Sequence, residues 1–345
     1  MTLYRRLILL ALALTAVVVV FGAYVRLADA GLGCPDWPGC YGTVSPEHAA
    51  ADIRQAHAAD PHGPVSLPKA WKEMIHRYLA ASLGLLIVII ALLAWRHRGL
   101  AGSAPWVATA LVALVVFQGL LGKWTVTLLL KPAIVTAHLA GGLATLALLA
   151  WLALRARRAP RIAPGRPLRT LARVAFVLLA AQIVLGGWTS TNYAALACPD
   201  FPACHGSLWP AADYANAFHV VRELGMTAEG ELLPLAALTA IHWTHRVGAL
   251  VAGGALLLLA WALARRHATQ GPGLALLAAV TLQIGLGVAN VVLGLPLALA
   301  VAHNAGAAIL VGLMVGINYR LSGARSPRAA ARNTQELTSH ENSYA

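Results

Sequence analysis

The chain has 345 residues, of which 59% are hydrophobic and only 11% are charged, and its formal net charge is +13. A soluble domain of this length needs far more charge to cover its surface, so the composition excludes an ordinary soluble protein. The positive charge alone would suggest a nucleic-acid partner, but its distribution along the chain excludes that reading, as shown below.

Long apolar segments recur along the whole chain. A membrane helix needs roughly 20 mostly apolar residues to cross the hydrocarbon core. The sequence meets this condition eight times and predicts an all-α membrane protein with spans at 7–25, 75–95, 104–126, 133–154, 170–189, 237–264, 273–293 and 297–318.

The basic residues are concentrated on one side of the predicted bilayer. The termini and the even-numbered connections hold 17 of the 26 Lys and Arg residues against two acidic residues, Glu336 and Glu341. This asymmetry is the positive-inside pattern, which predicts cytoplasmic termini, some contact with anionic lipid and no nucleic acid.

All four cysteines fall on the opposite, outer side, as two C-x5-C pairs. An oxidising compartment favours disulfides at such places, so we expect Cys34–Cys40 and Cys198–Cys204 bonds facing the bacterial periplasm or exterior. A structural bridge is the default role, and a redox role for Cys34–Cys40 is the alternative.

The two halves of the sequence repeat each other in the same order. Four segments of the first half have counterparts in the second: CPDWPGCYG at 34–42 with CPDFPACHG at 198–206, EMIHR at 73–77 with HWTHR at 242–246, QGLLGKWTV at 118–126 with QIGLGVANV at 283–291, and TAHLAGG at 136–142 with VAHNAGA at 301–307. Because each half holds four spans, both face the same way, which predicts two tandem four-helix bundles related by a pseudo-twofold axis along the membrane normal.

The repeat divides the chain into four parts. We expect an N-terminal half at 1–154, a cytoplasmic linker rich in Arg and Pro at 155–169, a C-terminal half at 170–320 and a disordered cytoplasmic tail at 321–345.

Four histidines recur at repeated positions inside the spans: His76, His138, His245 and His303. An ionisable residue within hydrocarbon is a functional candidate, and two imidazoles at one depth of a bundle suit the two faces of a haem. The alternative for each is a hydrogen bond to a neighbouring helix. A zinc site is disfavoured because no carboxylate recurs beside the pairs. The remaining histidines are predicted to be solvated: His48, His57, His62, His97, His205, His219, His267 and His340.

Residues beside these histidines carry further hypotheses. Arg77 and Arg246 follow the histidines of the second and sixth spans, where they would pair with a haem propionate or reach towards the lipid head groups. Glu73 lies one helical turn before His76, whereas its counterpart is His242, which places chemistry in the first half. The alternative for Glu73 is an ion pair with Lys69 or Lys72.

These segments together resemble the haem A synthases of the cytochrome oxidase assembly type, over residues 20–318. The resemblance rests on VRLADAGLGCPDWPGC, EMIHR, QGLLGKWTV, TAHLAGG, THRVGAL and QIGLGVANVVLGLPLALAVAHNAGA, and the paired cysteines match the bacterial form. It implies an oxidoreductase of the bacterial plasma membrane that converts the C8 methyl group of haem O to the formyl group of haem A.

The resemblance also implies the roles of individual residues. Glu73, His76 and His138 would form the catalytic site around haem O or haem A, and His245 and His303 would ligate a haem b. Haem O synthase and an electron donor are the implied partners, and a homo-oligomer remains open.

Three other functions fit parts of the sequence. A cytochrome b-type electron carrier needs paired histidines but no Glu73. A disulfide–quinone oxidoreductase would use the outer cysteines and would leave the four histidines unexplained. A transporter would favour broken helices and a midplane site, whereas the candidate residues here lie near one face of the membrane.

Overall fold

The computed structural model describes residues 2–99 and 102–323, and this part of the chain is almost entirely helical. It contains ten α-helices: α1 Thr2–Leu27, α2 Ala50–Ala59, α3 Leu67–Arg96, α4 Pro105–Thr127, α5 Pro132–Ala156, α6 Arg166–Thr191, α7 Tyr214–Ala217, α8 Leu235–Ala264, α9 Gln270–Val292 and α10 Leu297–Arg320. The described residues form no β-strand, only isolated bridges.

Eight of these helices are long and apolar enough to cross a membrane: α1, α3, α4, α5, α6, α8, α9 and α10. This confirms the predicted number of spans. Large apolar side chains such as Leu85, Val177, Leu250 and Leu282 are exposed along them, as expected where lipid is the solvent. Most of these helices extend several residues beyond the predicted segments, because a helix continues past the hydrocarbon core wherever its end remains unbroken.

Proline begins several of the spans. Pro105 and Pro132 are the first residues of α4 and α5, and Pro68 and Pro167 stand in the first turns of α3 and α6. A proline is tolerated there because its missing N–H would have no partner within the helix.

The helices pack as two groups of four. In the first group α1 contacts α3 and α5, while α4 contacts the same two helices, so α3 and α5 are diagonal to each other. In the second group α6 and α9 both contact α8 and α10, which are diagonal in the same way. The two groups meet where α5 packs against α6 and α10, and where α1 packs against α10. The pseudo-twofold axis stays a prediction.

The two larger apolar clusters lie towards the end of each group that is remote from the cysteine loops, and two smaller ones lie beneath the loops. One cluster joins Ile8, Ile87, Leu111 and Leu152 within the first group. A larger cluster runs from α5 into α6, α8, α9 and α10, and it connects the two groups. The opposite end of each group carries the repeated histidines.

The connection between the groups is shorter than predicted. Because α5 continues to Ala156 and α6 begins at Arg166, the linker spans 157–165 rather than 155–169. Ile162 exchanges backbone hydrogen bonds with Arg320 (2.8 Å) and Gly323 (3.1 Å), so the linker is fixed against the end of α10. The predicted tail lies outside the described residues from 324 onwards.

Candidate haem-binding site

His76 and His138 face each other across the first group of helices. His76 lies on α3 and His138 on the diagonal helix α5, and their ring centroids are 6.5 Å apart with the ring planes at 81°. Two metal–nitrogen bonds of about 2.0 Å each, together with the half-widths of two imidazoles, give a centroid separation of about 6 Å. The observed separation therefore fits two axial ligands on one iron.

His245 and His303 occupy the corresponding diagonal helices of the second group, α8 and α10. The sequence repeat thus places both predicted pairs on diagonal helices of their group, at the end of the helices that bears the disulfide loops.

A glycine on a neighbouring helix faces each of the four rings. An added Cβ atom would lie 2.8 Å from Cε1 of His76 at Gly22 and 3.5 Å from Cε1 of His138 at Gly122. At Gly186 it would lie 3.0 Å from Cε1 of His245. The fourth glycine, Gly287, stands 3.2 Å from Cε1 of His303 by the same measure. A side chain at Gly22 would therefore collide with the His76 ring, whereas one at Gly186 or Gly287 would make a tight contact and one at Gly122 an ordinary one. The sequence reading missed these glycines, although two belong to the repeated QGLLG and QIGLG segments.

The residues present fit a haem in each group. The Nδ1 atoms of His76, His138 and His303 are buried without a hydrogen-bond partner among the described residues. Buried polar atoms normally have a partner, so these rings are arranged for something other than the surrounding protein. A planar metal macrocycle between diagonal imidazoles satisfies this arrangement.

Glu73 lies one turn from His76 and joins the first disulfide loop to α3. We call Glu73 and Arg77, with their contacts to this loop, the first latch. The Glu73 side chain is buried, and its Oε2 atom accepts the backbone N–H of Cys34 at 3.0 Å. Its Oε1 atom pairs with the Arg77 guanidinium at 2.5 Å. The alternative considered from the sequence, an ion pair of Glu73 with Lys69 or Lys72, is not formed: the Lys69 amine donates to the Gly63 carbonyl, and Lys72 lies over the Tyr24 ring.

Arg77 binds the disulfide loop as well as Glu73. Its Nη1 atom donates to the carbonyl oxygens of Asp36 (2.9 Å), Pro38 (3.2 Å) and Gly39 (2.5 Å). The guanidinium therefore neutralises the buried carboxylate and anchors the loop at once. This contact is neither of the two roles considered from the sequence, and the propionate contact stays a prediction.

The second group repeats this latch with different chemistry. His242 replaces Glu73, and its Nδ1 atom accepts the backbone N–H of Cys198 at 3.3 Å. Arg246 donates to His242 at 3.2 Å and to the carbonyl oxygens of Cys198, Asp200 and Ala203. His242 and Arg246 therefore hold the second disulfide loop although neither residue carries a carboxylate.

Both predicted disulfides are formed, Cys34–Cys40 and Cys198–Cys204, and their sulfur atoms are buried. Each loop is closed by an aspartate: Asp36 accepts the backbone N–H groups of Tyr41 and Gly42, and Asp200 accepts those of His205 and Gly206. These charge-assisted bonds hold the pKa of the Asp200 carboxyl below its usual value, the bond from Gly206 having the largest effect.

The other histidines do not join the site. His48, His57, His62, His205, His219 and His267 are exposed, and His97 is half-buried. This confirms the prediction for the exposed six, while His340 lies outside the described residues.

An apolar groove of about 880 Å³ runs beside the first site, between α1, α5 and α10. It extends from Tyr24 and Phe21 down to Gly316 near the far end of α10. The Phe21 ring also stacks on the His76 ring at 6.5 Å between centroids, so this side chain borders both the groove and the histidine site.

The fold and the site define a class: a helical membrane protein that pairs histidines across four-helix groups, beneath disulfide-closed loops. The profile of the COX15-CtaA family, described as cytochrome oxidase assembly protein, matches residues 5–315. The chain therefore belongs to the COX15-CtaA family.

Several curated relatives carry one name. A protein of Shewanella oneidensis named "Heme A synthase" is 42% identical over 313 residues, which cover 90% of this chain and 94% of the relative. Proteins of the same name from Rhizorhabdus wittichii and Sphingopyxis alaskensis are 30% and 31% identical and cover 91% and 92% of this chain and 92% and 91% of their own lengths.

Proposed function

We propose that this protein is a haem A synthase, an oxidoreductase that converts the C8 methyl group of haem O to the formyl group of haem A. The proposal rests on one observation: His76 and His138 face each other, and the buried Glu73 lies one turn away from His76. The names of the relatives support the same reaction.

In this proposal the first group of helices holds the substrate. His76 and His138 bind the iron of haem O and fix the position of the ring within the bundle. Phe21 borders both this pair and the apolar groove, so the groove would take the hydrophobic tail of haem O. A tail enclosed by apolar side chains is stabilised in proportion to the area it removes from polar surroundings.

Glu73 would accept protons as the methyl group is oxidised. It is the carboxylate nearest in sequence to a member of the facing pair, and the second group has a histidine at the equivalent position. The Arg77 guanidinium stabilises its ionised form, and the disulfide loop covers it from the outer side. A positioned carboxylate typically contributes about 10²–10⁴-fold to a proton transfer.

The second group would hold a haem b through His245 and His303. This haem would relay electrons when bound, since the electrons for successive hydroxylation of the methyl group must come from outside the first site. The latch of His242 and Arg246 offers no carboxylate, which suits a site that transfers electrons without proton chemistry.

We further propose the membrane location, the orientation and the partners of the protein. The chain lies in the bacterial plasma membrane with both termini cytoplasmic and the disulfide loops outside, because the basic residues concentrate on the side of the termini. The two four-helix groups act as separate haem domains joined by the linker. Haem O synthase would supply the substrate and an electron donor would supply the electrons.

The test is the haem content of the purified protein. The full chain is produced in a host that makes haem O and lacks its own haem A synthase, and the extracted haems are separated with mass detection. Haem A, or a hydroxylated haem O, together with haem b is the expected result. Haem b alone would contradict the synthase and support an electron carrier, and no haem at all would contradict both.

A further inference from the structure

Three of the four histidines share a second pattern that the function described above does not use. A glutamine stands four residues before the glycine that faces the ring, in QGLLG at 118–122, QIVLG at 182–186 and QIGLG at 283–287. The corresponding segment for His76 is VVVFG at 18–22, so Val18 replaces the glutamine there.

The glutamines reach from one helix to the next. The Gln182 amide nitrogen donates to the His245 carbonyl oxygen at 2.9 Å and lies 3.0 Å from Nδ1 of the same residue. The Gln283 amide nitrogen donates to the His303 carbonyl oxygen at 3.0 Å and lies 3.4 Å from a ring nitrogen. These two glutamines thus tie the helix that carries the histidine to its neighbour. The Gln118 amide nitrogen is buried without a hydrogen-bond partner among the described residues, so Gln118 meets the helix of His138 through packing alone.

A glycine three residues after the histidine makes room for each glutamine. A Cβ atom at Gly141, Gly248 or Gly306 would collide with the side-chain amide of Gln118, Gln182 or Gln283 respectively. These three glycines follow His138, His245 and His303. We call each glutamine with its glycine a Gln–Gly clamp.

Both members of the clamp change together at the fourth histidine. His76 is followed three residues later by Leu79, and Val18 stands where the glutamine would be. Apolar side chains offer no hydrogen bond to a backbone or a ring, whereas partners of a metal-bound histidine fix its orientation and change affinity by about 10–100-fold.

We propose that Gln118, Gln182 and Gln283 are positioning residues that hold His138, His245 and His303 as permanent axial ligands, and that His76 is the exchangeable ligand. The inference rests on the proposed function, since it requires a haem in each group. It gives the two groups different properties: the second would hold its iron from both faces, and the first would release one face, on the side of Glu73.

The inference predicts a difference in reactivity with carbon monoxide, which binds ferrous haem only where an axial position opens. In the reduced, purified protein, haem O or haem A should take up carbon monoxide and haem b should not. The formyl group of haem A shifts its absorption to longer wavelength than that of haem b, so a sample that contains haem A reports both groups.

Reciprocal exchanges test the clamp itself. Val18→Gln with Leu79→Gly installs a clamp at His76 and should lower carbon monoxide uptake by the first haem roughly tenfold. Gln283→Val with Gly306→Leu removes the clamp at His303 and should make haem b reactive. The single variant Gln283→Val, without the added leucine, guards against a packing defect, and retained haem b absorbance shows that the protein is folded.

The outcomes separate the two proposals. If folded clamp variants leave carbon monoxide uptake unchanged in both groups, the clamp has no positioning role and the inference is overturned. If the wild-type haem b reacts as readily as the first haem, the division of ligands is wrong. If neither haem O nor haem A is found at all, the proposed function fails, while the Gln283→Val arm still tests the clamp on haem b.

Discussion

Glu73 and Cys34 are joined by a hydrogen bond of 3.0 Å from the backbone N–H of the cysteine to the carboxylate. The candidate proton acceptor of the first site and the disulfide loop above it are therefore one unit. At the equivalent place His242 accepts the backbone N–H of Cys198. Since the latch works with either side chain, the carboxylate is present for a reason other than holding the loop.

From this comparison we predict that Glu73→Gln lowers haem A formation while the disulfide loop stays folded. The glutamine retains an oxygen that accepts the Cys34 N–H but accepts no proton, so haem A formation should fall about 10²–10⁴-fold. Extracted haems measure the product, and limited proteolysis measures whether the loop remains folded. His242→Gln is the matched control and should leave product formation near normal. Comparable losses in both variants would assign Glu73 a structural role.

Removing Arg77 should cost more stability than removing Arg246. Glu73 and Arg77 form a pair with side chains 6% and 12% exposed, so Arg77→Met leaves a buried carboxylate without its partner, a cost of about 3 kcal/mol. His242 carries no obligatory charge, so Arg246→Met should cost less.

Thermal unfolding of the purified protein compares these two variants. Adding Glu73→Gln to Arg77→Met should recover part of the lost stability, because the uncompensated charge is then gone. Equal destabilisation by the two arginine variants, with no recovery in the double variant, would show that the loop contacts of the guanidinium dominate.

Much of this architecture is predictable from the sequence, for identifiable physical reasons. Each span exceeds the length that hydrocarbon requires, and the four histidines within the spans repeat in register. The anchoring role of Arg77 was not predictable, because its carbonyl partners lie about 40 residues away in an irregular loop. Helix α2 within that loop was missed as well.

The Gln–Gly clamps were predictable only in part. Their residues are visible as repeated Q-x3-G and H-x2-G spacings, but only the packing of neighbouring helices shows that Gln283 meets Gly306. The groove could not be predicted from the sequence for a related reason: it is lined by residues of α1, α5 and α10 together, and no single helix encodes it.

Loss of the first disulfide should affect the first site more than loss of the second. Replacing Cys34 and Cys40 with serine removes a constraint worth about 2 kcal/mol for so short a loop and loosens the N–H that Glu73 accepts. We expect faster proteolysis of residues 28–66 and reduced haem A formation with haem b retained. The matched variant with serine at 198 and 204 should leave the first loop protected. Undiminished product from the first variant would exclude a role for this loop in the reaction.

Filling the groove should weaken binding of haem O without disturbing the fold. Gly312 lines the groove, and an added Cβ atom there meets nothing within 4 Å, so Gly312→Leu occupies space at little steric cost. If the groove takes the hydrophobic tail, the KM for haem O should rise several-fold with kcat nearly unchanged, because the tail is remote from the reacting methyl group. Gly285→Leu is the control: Gly285 is equally open to an added Cβ atom and lies outside the groove. A lower kcat with unchanged KM, or equal effects of both variants, would place the tail elsewhere.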